Sequence, residues 1–129
     1  TSNQKQHINM NILICDDDAA LISMIRFKLL REKMESVTIA TDGKQAFDAI
    51  STKTFDLIIT DLHMPFHSGL EIVLHVRQKL KQKTPIVILS AEGLEETVLD
   101  AFHLGADDFI TKPFSPSELA IRVKRLLNQ

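Results

Sequence analysis

Residues 14–20 read ICDDDAA: three consecutive aspartates close an apolar run and precede a small-residue helix start. Like charges at this spacing repel, and removing them from water is costly. Three further polar residues close apolar runs in the same way: Asp61 in TDLHMPFHSG, Ser90 in LSAEG and Lys112 in TKPF. Carboxylates are hard oxygen ligands and suit Mg2+ better than a soft metal. A divalent ion turns the repulsion among Asp16, Asp17 and Asp61 into attraction and leaves coordination positions open for a phosphate. A carboxylate can attack phosphorus and form an aspartyl phosphate. Phosphoryl transfer mainly needs positioning and neutralised oxygen charge, which a metal and a lysine supply. The Ser90 hydroxyl can hydrogen-bond a phosphoryl oxygen. Taken singly, each residue has an ordinary explanation: a solvated helix start for Asp16 and Asp17, a turn for Asp61, an exposed side chain for Lys112. Asp18 reads as the cap of the helix beginning at Ala19. The chemistry requires that the others meet.

Alternating elements can bring them together. Short apolar or β-branched runs at 11–15, 36–40, 55–60, 85–90 and 108–111 read as strands. Between and after them, helical spacing runs over 19–33, 42–50, 68–80, 94–105 and 115–128. The first of these repeats Leu21, Ile25 and Leu29. The second places Ala46, Phe47 and Ile50 on one face, and the third turns Leu70, Val73, Leu74 and Leu80 inward. Gly105 stops the fourth. The fifth opens on a cap with Pro in its first turn and carries Leu119, Val123, Leu126 and Leu127 inward. Five strands and five helices in alternation predict an α/β fold, a parallel sheet with helices on both faces. Ligands in such folds bind at the carboxyl ends of the strands, where Asp16, Asp17, Asp61, Ser90 and Lys112 all fall.

The 129 residues suit one domain over 10–129, and residues 1–9, TSNQKQHIN, read as a flexible arm or an appended remnant. A net charge of −2 advertises neither nucleic-acid nor membrane binding. The lone Cys15 cannot form an internal disulfide, which fits a reducing cytoplasm, and it reads as a small buried hydrophobe. No apolar stretch is long enough to span a bilayer.

From ILICDDD through DLHMP…SG, VILSA and GADDFITKPF to ELAIRVKRLL, the sequence resembles the receiver domain of bacterial two-component response regulators. The resemblance covers nearly the whole chain. It implies a CheY-like (flavodoxin-like) sheet of order 2-1-3-4-5, a cytoplasmic phosphoprotein of signal transduction, and Mg2+ (with Mn2+ as a substitute) as cofactor. It makes Asp61 the phospho-acceptor and Asp17 a direct metal ligand, with Asp16 ligating directly or through water. The backbone carbonyl of His63 completes the protein's share of the metal site. Ser90, the Ala91 backbone and Lys112 would contact the phosphoryl group, and the small Ala91 side chain leaves that site open. Ser90 and Phe109 match the switch pair, and Pro113 follows a peptide bond that is cis in the family. Glu92 and His63 stand where the family varies the lifetime of its phosphate. The partner implied is a sensor histidine kinase or phosphotransfer protein. The C-terminal part, GADDFITKPFSPSEL with Arg122, resembles the winged-helix transcription-factor subfamily, which dimerises through helix 4, strand 5 and helix 5. Here Val98 and Asp100 stand where basic residues are expected, so that homodimer is left open; Arg122 could pair with Asp107 or Asp108.

The function so implied is a phosphorylation-activated switch that catalyses only its own modification and demodification. Two other readings compete. Asp16-x-Asp18 resembles the nucleophile motif of haloacid-dehalogenase-type phosphatases, but the lysine follows the acidic pair at 107–108 and the chain has no room for a cap domain. A phosphorylation-independent interaction module on the same fold would not need all five site residues. A dinucleotide site lacks its G-x-G-x-x-G after the first strand.

Overall fold

The apolar runs become the five strands of one parallel sheet in a computed structural model that describes residues 10–128. The expectation for residues 1–9 lies outside the described residues. The strands are β1 (Asn11–Cys15), β2 (Ser36–Ala40), β3 (Leu57–Asp61), β4 (Ile86–Ser90) and β5 (Asp108–Thr111), in spatial order β2-β1-β3-β4-β5. The helices are α1 (Ala19–Arg31), α2 (Gly43–Thr52), α3 (Gly69–Leu74), α4 (Glu95–Leu104) and α5 (Pro116–Leu127).

Two half-cores sandwich the sheet, because successive strand residues point to opposite faces. Leu13, Cys15, Ile58, Ile86 and Ile88 pack with Ala46 and Ile50 of α2, Ile72 and Val73 of α3 and Ala101 of α4. Ile12, Ile14, Leu57, Ile59, Val87, Leu89 and Ile110 pack with Ile22, Ile25 and Leu29 of α1 and Leu119 and Val123 of α5. Residues one apart on β1, β3 and β4 thus serve different cores. That is why these strands read as unbroken apolar runs rather than as alternation.

Side-chain caps start the helices where the sequence places them. Asp18 accepts from Leu21 N at 3.1 Å, Asp42 from Gln45 N at 2.8 Å and Ser115 from Glu118 N at 3.0 Å. Ser68 and Glu71 form a reciprocal capping box at α3. Gly105 ends α4 at φ 115°, a conformation that glycine adopts without a Cβ penalty.

The third helix departs from expectation. It is α-helical only to Leu74 and continues as a π-helical turn over His75–Lys79, with Leu80 N donating to His75 O at 2.9 Å. Its buried residues are Gly69, Ile72, Val73 and Val76. Leu74, expected inside, is 39% exposed. Each helical residue turns about 100°, so a face centred on Val73 and Val76 carries Leu74 to the side.

Candidate functional site

β1, β3, β4 and β5 end at one edge, and their last residues and the loops that follow bring the polar side chains together. Carboxylate oxygens of Asp16, Asp17 and Asp61 lie within 4.8 Å of one another. Asp16 is fully buried, Asp61 is 8% exposed and Asp17 faces solvent. The Lys112 ammonium donates to Asp16 Oδ2 at 3.0 Å and stands 3.3 Å from Asp61 Oδ1. It reaches that position from a loop whose Lys112 N donates to Ser90 O at 2.7 Å and whose Lys112–Pro113 bond is cis. Asp16 Oδ1 also accepts from Asp18 N at 2.9 Å, which fixes the carboxylate relative to the start of α1. Four of the five residues expected to converge, Asp16, Asp17, Asp61 and Lys112, therefore do so. Ser90, fully buried at the end of β4, accepts from Glu92 N through its Oγ at 3.0 Å.

The electrostatics are unbalanced. Three carboxylates against one ammonium leave two negative charges uncompensated, the amount that a divalent cation neutralises. The donor set is all oxygen, as Mg2+ prefers. The residues present fit that ion. Burial holds the Asp61 carboxyl above the usual carboxylate range; the ammonium of Lys112 opposes this and the charge of Asp16 adds to it. For Lys112, burial disfavours the charged form, yet Asp16 and Asp61 together outweigh it and hold its pKa above the ordinary lysine value.

His63 and Glu92 stand at the exposed rim, with His63 Nε2 3.7 Å from Glu92 Oε2. Phe109 is half-buried against the α2–α3–α4 core. Arg122 bridges Asp108 Oδ1 at 2.8 Å and Glu118 Oε2 at 3.2 Å. Asp107, the other candidate partner, is taken by Arg77 at 2.9 Å. Beside the acidic cluster runs a groove of about 430 Å3, lined by Leu21, Met24, Ala91, Pro113 and Phe114 among others. Sequence reasoning missed this groove, because its walls come from α1 and from the loops after β4 and β5. The one available signal was that Pro113 and Phe114 directly follow Lys112.

Cys15 fits its expectation: it is buried, and desolvation pushes its thiol up to about 12. Among the described residues, no helix is long and apolar enough to cross a membrane.

Comparison with known proteins agrees with the geometry. The response regulator receiver domain profile matches residues 12–124. Transcriptional regulatory protein ResD of Bacillus subtilis is 39% identical over 118 residues, which are 92% of this chain and 48% of that protein. Alkaline phosphatase synthesis transcriptional regulatory protein PhoP of the same organism is 36% identical over 122 residues, 95% of this chain and 50% of that protein. The chain thus spans about half the length of the curated relatives it matches. The solved receiver domain of the Francisella response regulator 1452 superposes with a TM-score of 0.83 at 37% identity, covering 93% of this chain and 98% of that one. The similarity is to signalling domains of transcriptional regulators, and it disfavours the phosphatase and interaction-module readings. The chain belongs to the response regulator receiver domains, the phosphorylation-activated switches of two-component signal transduction.

Proposed function

We propose that Asp61 accepts a phosphoryl group from a phosphohistidine on a histidine kinase or phosphotransfer protein. An Asp61 carboxylate oxygen forms the new O–P bond as the N–P bond breaks, and the electron pair of that bond leaves with the donor imidazole. Asp16, Asp17, Asp61 and the carbonyl of His63 would hold Mg2+, with Mn2+ as a substitute. When bound, the ion supplies neutralisation of phosphoryl oxygen charge. Lys112 supplies a second positive charge from its place between Asp16 and Asp61, and the Ala91 backbone adds a hydrogen-bond donor. Ser90 turns its hydroxyl from Glu92 N toward the phosphoryl oxygens, and Phe109 follows inward. Phosphate shifts the balance between two arrangements that both pre-exist. The apolar groove beside the cluster suits the side chains that flank a donor histidine. Water then hydrolyses the acyl phosphate, and His63 and Glu92 at the rim tune its access. Residues 10–129 form the domain that carries out this cycle.

The observation that carries this reading is the meeting of three carboxylates within 4.8 Å, with Lys112 at 3.0 and 3.3 Å from two of them. Acetyl phosphate with Mg2+ is expected to add one phosphoryl group, seen by intact mass, and EDTA or Asp61→Asn to prevent it. Labelling that persists in Asp61→Asn refutes the acceptor assignment. Followed after removal of the donor, the same assay tests the rim: alanine at both His63 and Glu92 is expected to change the half-life of the phosphate, and an unchanged half-life removes their tuning role.

A further inference from the structure

The loop that carries His63 is held from outside the acidic cluster. Gly69 N donates to Leu62 O at 2.8 Å and closes its base. Pro65 O accepts from Gly43 N at 3.0 Å and from His67 N at 2.9 Å, so the loop rests on the first residue of α2. The approach is close enough that a Cβ on Gly43 would meet His67 O at 2.3 Å. Between these anchors Phe66 sits at φ 73° with 72% of its surface exposed. A bulky residue rarely adopts that left-handed conformation, and Phe66 gains little burial in exchange. Its neighbours must hold it there.

The imidazole of His67 stacks on the Phe47 ring of α2, with centroids 4.0 Å apart and planes 6° from parallel. Phe47 also stacks with His75, at 4.6 Å and 29°. His75 is the residue at which α3 passes into its π-helical turn. Glu71 Oε2 lies 3.0 Å from His67 Nδ1, while its Oε1 accepts from Ser68 N at 3.2 Å. Hydrogen bonding to His67 holds the Glu71 carboxyl below the usual range. Three rings and one carboxylate thus clamp the far end of a seven-residue connection, Leu62–Ser68, whose near end bears the His63 carbonyl.

We infer that Phe47 and His67 are positioning residues for the metal site: their stack sets where the loop presents the His63 carbonyl, and so the affinity for Mg2+. The inference rests on the metal reading proposed above. Phe47 is not among the groups assigned above to the metal or to the phosphate. Its effect should fall on Mg2+ binding and leave the phosphoryl step at saturating Mg2+ largely alone.

The test measures the Mg2+ dissociation constant by calorimetry and the Mg2+ dependence of acetyl phosphate labelling. Phe47→Ala is expected to weaken Mg2+ binding about three- to tenfold and to raise the half-saturating Mg2+ equally. The labelling rate at saturation should stay within about twofold. Phe47→Tyr, which keeps the stack, should restore the parental constant, and His67→Phe should retain most of it. Leu126→Ala, on α5 and away from the loop, is the control for general destabilisation and should leave the constant unchanged. Parental Mg2+ affinity in Phe47→Ala, or an equal shift in Leu126→Ala, overturns the inference alone. Absence of Mg2+ binding in the unsubstituted chain overturns it together with the metal reading.

Discussion

Asp61 sits in an environment that disfavours its own charge. Burial holds its carboxyl above the unfolded value, and only part of that is offset by Lys112. The sign of the consequence is fixed by linkage. Below the unfolded value, near 4, the folded chain has lost nothing; as pH rises through the raised folded value, ionised Asp61 progressively destabilises the fold. Asp61→Asn keeps the shape and removes the charge, and Lys112 still has Asp16 as a partner. The metal-free variant is therefore expected to melt above the parent at neutral pH, with the gap closing toward pH 4. Thermal unfolding in EDTA, followed by circular dichroism across that range, measures it. A variant that melts below the parent at neutral pH would mean that Lys112 outweighs burial. Asp16, Asp61, Ser90 and Lys112 were readable in the sequence because each ends or follows a strand of a recognisable period, so topology alone brings them to one edge. The ring stack was not readable: Phe47, His67 and His75 carry no shared spacing, and only the packing of α2 on α3 joins them.

Element ends in this fold are tied by one side chain that composition gives no reason to notice. Arg77, in the π-helical turn after α3, donates through Nε to Gly105 O at 3.0 Å and through Nη1 to Gln82 O at 3.0 Å. Its Nη2 reaches Asp107 Oδ2 at 2.9 Å, an oxygen that also accepts from Ile86 N at 2.8 Å. The end of α4, the start of β4 and the turn after α3 are pinned together. In sequence Arg77 looks like one of several charges on an exposed face, because two of its partners are backbone carbonyls that leave no residue signature. The π-helical turn that carries it is equally silent, since no proline or glycine marks it. Arg77→Ala is expected to cost about 2–3 kcal/mol, as part-buried acceptors lose charged donors. Arg77→Lys should recover only part of that, because an ammonium cannot match the guanidinium fork. Urea unfolding of both variants checks this; equal stability of Arg77→Lys and parent would reduce the contact to a simple ion pair.

For the whole molecule, we propose the face formed by α4, β5 and α5 as the surface on which a second copy would dock. Leu99 and Phe102 on α4 and Ile121 on α5 are exposed. Arg122 is engaged within its own chain by Asp108 and Glu118, and α4 carries Val98 and Asp100 where a basic residue could have bridged to a partner. A dimer on this face would rest on apolar contact more than on ion pairs. Sedimentation of the phosphorylated chain is expected to show association that persists in high salt and is lost in Leu99→Asp. Association that dissolves in moderate salt would point to a charge-paired surface. That α4, β5 and α5 lie along one side of the fold was legible from the strand–helix alternation; a docking role there came only from the resemblance. The internal engagement of Arg122 was left between Asp107 and Asp108, and what decided it was Arg77, which claims Asp107 from thirty residues upstream.

The single thiol offers a native clock for the sheet. Cys15 lies on the central part of the fold with no exposed surface, and burial drives its ionisation up to about 12. The thiolate is the nucleophile that displaces iodide from iodoacetamide, so a folded molecule is inert to that reagent at neutral pH. Only chains whose β1 has come free will be capped. Because opening of a strand paired on both sides needs nearly global unfolding, the slow rate at which iodoacetamide adds mass reads out how often the entire receiver lets go, without label, tag or denaturant.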